Sequence, residues 1–200
     1  KIGVEKELKE NFSSSNMSQI FLRFSTACGP SDRLRLDLVL NDFVASALKY
    51  NEINILSDGS PWRPLIDTRD IANSIIWAIK YKSEDIIDLS INVGCDEWNF
   101  QVKDIAKKVA EVIPGTNIKI NANAEPDKRS YKVDFSLYKK LSGNFYPTRK
   151  LENTISELRK IIQYLNLPHE GFRSTNYIRL NHLKKLKESK IIDKQLRWLV

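Results

Sequence analysis

Two hundred residues, 42% of them hydrophobic and 10% aromatic, suffice for a packed core and one or two compact domains. No apolar run of about 18 residues and no secretory-type start are legible, so a spanning segment and an export signal are not expected. Cys28 and Cys95 lack disulfide or metal spacing, and His169 and His182 are the only histidines, which leaves little for a zinc site and makes a reducing cytoplasm the expected compartment.

The net charge of +7 is unevenly spread. Residues 1–126 hold 15 Lys+Arg against 18 Asp+Glu, a balance of −3, and residues 127–200 hold 17 against 7, a balance of +10. A basic half of this kind faces nucleic acid, an anionic surface or a phosphorylated small molecule. Charge alone does not choose among them.

In chain order, "KIGVEKELKENF" reads as a helix already under way. Ile2, Glu5, Leu8 and Phe12 fall at helical spacing and no cap residue precedes them, so a chain starting inside a longer domain is expected. "QIFLRF" is a short strand ending near Phe24, followed by a loop, "STACGPSDR", punctuated by Gly29-Pro30. Residues 37–49 pattern as a helix with an imperfect apolar stripe. "INIL" and "RPLI" are strand candidates on either side of the turn "SDGSPW".

A helix over about 69–81 follows, capped by Asp67 or Thr68, with Ile71, Ala72, Ile75, Ile76 and Ile79 as its apolar face. "DLSINV" alternates like a strand and ends at Gly94. "VKDIAKKVAEVI" is an amphipathic helix stopped by Pro114-Gly115, and "NIKINA" is a strand. "DFSLYKKL" and "LENTISELRKIIQYL" are helices, the second ending before Pro168. The basic tail "HLKKLKESKIIDKQLRW" reads as an amphipathic helix packed on the body with its lysines in water.

Strands alternating with helices predict an α/β fold. Neither G-x-G-x-x-G nor G-x-x-x-x-G-K-[ST] occurs, so the phosphate-cradling turn of a dinucleotide fold is not in this sequence. Arg63 is the side chain that stands out. It lies between Trp62 and Pro64 at the mouth of a short apolar run, placed either to grip an anion or to pair with Asp67 or Asp70.

Taken together, "LRFSTACGP", "NDFVASAL…INILSDGSPWRPLIDTRDIA", "LSINVGCDEWNFQVKDIAKKVAEVI" and "DKRSYKVDFSLYKKL" resemble the extended short-chain dehydrogenase/reductases. The likeness is to the NAD-dependent epimerases and dehydratases of nucleotide sugars, over nearly residues 1–165. It implies the C-terminal part of a Rossmann-type parallel sheet plus a smaller α/β substrate-binding domain, with the N-terminal dinucleotide-binding half absent. The implied division is 1–30 and 62–93 for the Rossmann-type part, 31–61 and 94–172 for the substrate part, and 173–200 as a basic helical tail.

The same resemblance implies site residues. "KIGVE" sets Lys1 at the lysine of the family's Tyr-x-x-x-Lys and Glu5 at the glutamate after it. A lysine there favours the phenolate of its tyrosine and reaches the nicotinamide ribose. Ser25 and Thr26 fall at the strand end that meets the nicotinamide and the sugar. Asn41, Arg63 and Arg129 fall where the family holds the diphosphate, as guanidinium forks suit. Many members carry asparagine at the position of Thr26 and tyrosine at that of Cys28, which leaves the sugar open.

Plainer readings stand beside these. Arg129 could pair with Asp127 or Asp134, Asn41 could be a helix-surface amide, Arg33 and Arg35 could be solvated, and Asp70 could cap or support its helix. The cysteines read as packing residues. The expected function is an NAD-dependent nucleotide-sugar epimerase or dehydratase (NADP not excluded). The expected partners are a nucleoside diphosphate sugar and, in the full-length protein, a second copy in a homodimer, with no nucleic acid and no membrane. This chain alone is expected to be inactive. The alternative is a non-catalytic module that binds nucleotide sugar or nucleic acid.

Overall fold

The structure, a computed structural model, describes residues 2–12, 18–81, 88–124, 129–165, 167, 171–174 and 177–199. These form seven helices and seven strands among the described residues: α1 (Ile2–Phe12), β1 (Gln19–Phe24), β2 (Thr26–Cys28), α2 (Val39–Tyr50), β3 (Glu52–Ile55), β4 (Trp62–Asp67), α3 (Thr68–Lys80), β5 (Asp88–Val93), β6 (Asn99–Gln101), α4 (Val102–Val112), β7 (Asn117–Ile120), α5 (Ser136–Ser142), α6 (Leu151–Tyr164) and α7 (Arg179–Glu188). The α/β class expected from the alternation is the class observed. Both two-stranded sheets, β1-β5 and β3-β7, are parallel.

The chain divides into two compact units, each built from three separate stretches. Unit 1 comprises Lys1–Ala27, Arg63–Phe100 and Tyr131–Thr148, and unit 2 comprises Cys28–Trp62, Gln101–Ser130 and Arg149–Val200. The units are drawn differently from the division read from sequence: residues 94–100 and 131–148 fall in unit 1, with the β1-β5 sheet, and the basic tail falls in unit 2.

In unit 1, β1 and β5 run in register from Gln19 opposite Asp88 to Phe24 opposite Val93. Leu89, Ile91 and Val93 alternate inward on β5 and join Ile66, Trp77 and Tyr138 in one core. That core explains why residues 131–148 belong here. The Trp77 and Tyr138 rings meet edge to face at 5.4 Å, the Trp77 indole N–H donates to the carbonyl of Leu141 at 3.2 Å, and the Tyr138 hydroxyl donates to that of Phe145 at 3.2 Å.

Helix α3 corrects one expectation. Its periodicity put the isoleucines inside, yet its buried residues are Asp70, Ser74 and Trp77, while Ile75 and Ile76 are exposed and Ile79 is 79% exposed. Of the expected stripe, only Ile71 packs against the core. The large indole, satisfied at its N–H, sets which side of the helix turns inward.

In unit 2, β3 pairs with β7, from Glu52 opposite Asn117 to Ile55 opposite Ile120, and α2 packs on α4 and α6. The helical stripes are buried as their spacing predicts. Val102, Ile105, Ala106 and Val109 are inside on α4, and Leu151, Thr154, Ile155, Leu158 and Ile162 on α6. Helix α2 ends in a left-handed Asn51, φ 52°, whose N–H donates to the carbonyl of Ala47 at 3.0 Å.

Two elements were not expected, and one is shorter than expected. The three-residue strands β2 and β6 flank β4 in a sheet of order β2-β4-β6, where the sequence marked a loop at the first and no element at the second. Three residues are too few to display an alternation. The tail helix stops at Glu188 and does not run on to Trp198. Lys190 (φ 53°) and Leu196 (φ 63°) turn the chain back, and Ile192 pairs with Trp198 in an antiparallel bridge.

Candidate functional site

The carboxyl ends of parallel strands are where open α/β sheets bind ligands, because the turns there are free to vary while the strands hold them. In unit 1 the chain leaves β1 at Ser25, whose backbone N–H and hydroxyl both donate to the carbonyl of Val93, at 3.1 and 3.3 Å. Gly94 follows on the neighbouring strand. A Cβ there would lie 2.7 Å from both the Ser25 hydroxyl and the Phe135 ring, so only glycine lets these groups close. Thr26 opens β2 and is half-buried.

Arg63 is the second residue of β4. It is half-buried, and the four residues after it, Pro64 to Asp67, are buried. The strand runs directly into α3, whose N-cap is Asp67: its carboxylate accepts from the N–H of Arg69 at 2.9 Å. The Arg69 guanidinium closes a two-point pair on the same carboxylate, at 2.8 and 2.7 Å. A fully buried charge is thereby neutralised at the far end of the strand that begins beside the arginine singled out from sequence.

Lys1 lies outside the described residues. Glu5, one helical turn along α1, accepts two hydrogen bonds from the Arg23 guanidinium at 2.9 and 2.5 Å and a third from the Ser90 hydroxyl at 3.3 Å. The Arg23 hydrogen bonds hold the Glu5 carboxyl below the usual glutamate range. Through these contacts α1 is tied to both strands of the sheet.

In unit 2, Asn41 sits on the first turn of α2 but is only 2% exposed, not a surface amide. Its side-chain oxygen accepts from the N–H of Gly29 at 3.2 Å, and its amide donates to the carbonyl of Arg35 at 2.9 Å. One side chain so fixes both ends of the loop 29–35. Arg35 pairs with Asp37 at 3.1 and 2.6 Å, and the N–H of Leu36 donates to the carbonyl of Tyr177 at 3.1 Å.

Arg129 is exposed and lies outside any helix or strand. Its neighbour Ser130 accepts, at its hydroxyl, the backbone N–H of Trp62, the residue before Arg63, at 3.0 Å. The turn before Trp62 is fastened to the start of α4. The carbonyls of Gly59 and Pro61 accept from Lys103 and Val102, and a Cβ on Gly59 (φ 79°) would meet that of Lys103 at 2.9 Å.

Sequence reasoning missed Asn99. Its amide exchanges two hydrogen bonds of 3.0 Å with the backbone of Val133, as a paired strand residue would, and Asp96 accepts from the N–H of Phe135 at 3.3 Å. A polar residue inside the apolar run "WNF" was the signal available.

The chemistry on offer is narrow. Among the described residues no cluster of His, Cys, Asp and Glu could hold a metal ion. Burial pushes the Cys95 thiol up to about 12, and the Tyr138 and Tyr146 phenols likewise to about 12, so at neutral pH all three keep their protons. What remains among the residues described above is guanidinium groups, an amide and hydroxyls.

Residues 1–94 match the model of the NAD dependent epimerase/dehydratase family. Solved structures carry the likeness of fold further along the chain. The UDP-glucuronic acid 4-epimerase of Bacillus cereus, solved in complex with UDP-glucuronic acid and NAD, superposes with a TM-score of 0.66 at 21% identity, over 82% of this chain and 51% of its own. The UDP-N-acetylglucosamine 4-epimerase of the same organism gives 0.66 at 17%, over 81% and 54%. TunA, an NAD-dependent NDP-hexosamine 5,6-dehydratase of tunicamycin biosynthesis, gives 0.64 at 17%, over 85% and 53%. The chain spans about half the length of these epimerase/dehydratase structures.

Proposed function

We propose that this chain supplies the nucleotide-sugar side of an NAD-dependent epimerase or dehydratase. The observation that carries the reading is Arg63. It stands half-buried at the start of β4, one strand length before the Asp67-capped helix α3, inside the segment that matches the family. Arg63 and Arg129 each offer a planar fork that suits a phosphate of a nucleoside diphosphate. Asn41 acts on the ligand through the loop it fixes, and Thr26 offers its hydroxyl to the sugar.

For NAD the fit is partial. The sequence holds no glycine-rich phosphate turn, and what it presents is the carboxyl end of β1, with the Ser25 hydroxyl packed against Gly94. Ser25 is the residue that would meet the nicotinamide end, and Lys1 the one that would meet its ribose. When bound, NAD takes a hydride from the sugar and can return it. The ammonium of Lys1 favours the ionised form of a neighbouring phenol and so readies it to take a hydroxyl proton.

Each charge-assisted contact contributes about 1.5–3 kcal/mol. Arg63→Ala is therefore expected to weaken binding of a nucleoside diphosphate roughly 10- to 150-fold, read by calorimetry with UDP and its analogues. Arg129→Ala should weaken it in the same direction. Unchanged affinity in both variants removes these arginines from the site and the reading with them.

A further inference from the structure

From α7 onward the tail of unit 2 supplies no residue to the site just described, and its surface is unusual. Between residues 177 and 199 it carries seven basic side chains (Arg179, Lys184, Lys185, Lys187, Lys190, Lys194, Arg197) against two acidic ones. One of the two is occupied: the Asp193 carboxylate accepts from the N–H groups of Gln195 and Arg197, at 2.8 and 2.9 Å. Helix α7 buries none of its residues, and Leu180, Lys184 and Lys187 follow one another at helical spacing on an exposed stripe.

Beyond α7 the chain does not fray. The N–H of Ile191 donates to the carbonyl of Leu186 at 3.0 Å, that of Asp193 to Arg197 at 2.8 Å, and that of Leu199 to Ile191 at 2.9 Å. This built turn buries Ile192 alone. Ile191, Leu196, Trp198 and Leu199 are exposed, Trp198 at 68%. An ordered turn that holds an indole and three aliphatic side chains in water, with Lys190, Lys194 and Arg197 in the same segment, has the two properties that bind an anionic lipid surface: apolar groups for the headgroup boundary and cations for the lipid charge.

We propose that α7 and the turn 191–199 form a docking surface for an anionic membrane face, with Trp198 and Leu199 entering the headgroup region. The charge complementarity, and exposed apolar side chains including an indole in the same segment as the basic ones, favour an anionic lipid face, which takes both, over an acidic protein. The expectation of no membrane partner rested on the lack of a spanning segment, and contact in the interface plane needs none. Among the described residues no helix is long and apolar enough to cross.

The test is sedimentation of the chain with vesicles of phosphatidylcholine alone or with about a third phosphatidylserine. Binding to the anionic vesicles only, reversed by added salt, is expected. Lys184→Glu, Lys187→Glu and Lys190→Glu together should weaken it about tenfold or more. Trp198→Ala with Leu199→Ala should weaken it as well, and Trp198→Ala should abolish the blue shift of tryptophan emission on vesicles. These side chains are exposed, so the variants keep the fold, as circular dichroism checks. Absence of binding at low salt, equal binding to neutral vesicles, or binding indifferent to both sets of substitutions overturns the proposal. So does a stoichiometric complex with polyglutamate that anionic vesicles fail to displace, which would assign the surface to an acidic protein.

Discussion

Helices α3 and α6 carry apolar residues at the same spacing and meet opposite fates. On α6, Ile155 and Leu158 are fully buried among their unit-2 neighbours, whereas on α3 the isoleucines at 75, 76 and 79 face solvent and Trp77 takes the inside. Helix α1, in the same unit as α3, buries nothing at all. Periodicity therefore states that a helix has an apolar face, and the partner available decides whether that face is the one covered. In unit 2 the partner is within the chain. In unit 1 the apolar faces of α1 and α3 remain open, a kind of surface that soluble proteins keep small or cover with another segment.

That contrast can be broken by substitution. Ile155→Ala on α6 should cost about 2–5 kcal/mol, since it leaves a cavity in a packed site. Chemical denaturation measures it, and a loss below about 1 kcal/mol would mean that unit 2 is looser than its burial implies. Asp67→Ala should cost roughly 2–3 kcal/mol, because it removes both the cap of α3 and the buried partner of Arg69. If that variant unfolds at the wild-type midpoint, α3 is held by packing alone.

The attachment of α1 should respond to acid. The folded-state carboxyl of Glu5 titrates below its ordinary value near 4.5, so the stability it lends is present above that value and is lost as the pH falls through the lowered one. Hydrogen exchange should show α1 losing protection below about pH 4.5 in the wild type. In Arg23→Gln, α1 should be less protected at neutral pH and show little further loss. Identical profiles would show that the pair does not hold the helix. The smallest effect is expected at Ile79→Lys, within about 0.5 kcal/mol of wild type. Lower aggregation without a change in stability would mark the face as open in solution.

The legible parts of the fold were those whose burial follows their own pattern. Strand β5 alternates and is buried on alternate residues, and α4 and α6 bury the residues that their spacing selects. Strands β2 and β6 were not legible, because a three-residue strand is made by its neighbours. The inward side of α3 was not legible either, since hydrophobicity ranks four isoleucines above one indole whose value lies in its fit to Tyr138 and Leu141. At the site, Arg63 stood out because charge beside a buried strand is conspicuous. The bracing role of Asn41 was invisible, because an amide that bonds two distant backbone groups looks in sequence like any polar residue on a helix.

The alternation of the two units along the chain bears on inheritance as well as on folding. Each unit is assembled from three stretches that interleave with those of the other, so no single cut releases either one whole. A recombination point between residues 28 and 148 divides both at once, and a graft of the 29–35 loop with Asn41 must bring α4 and α6 along to keep its footing. New specificities can then arise only by changing side chains in place or by lengthening turns, never by exchanging one unit as a cassette.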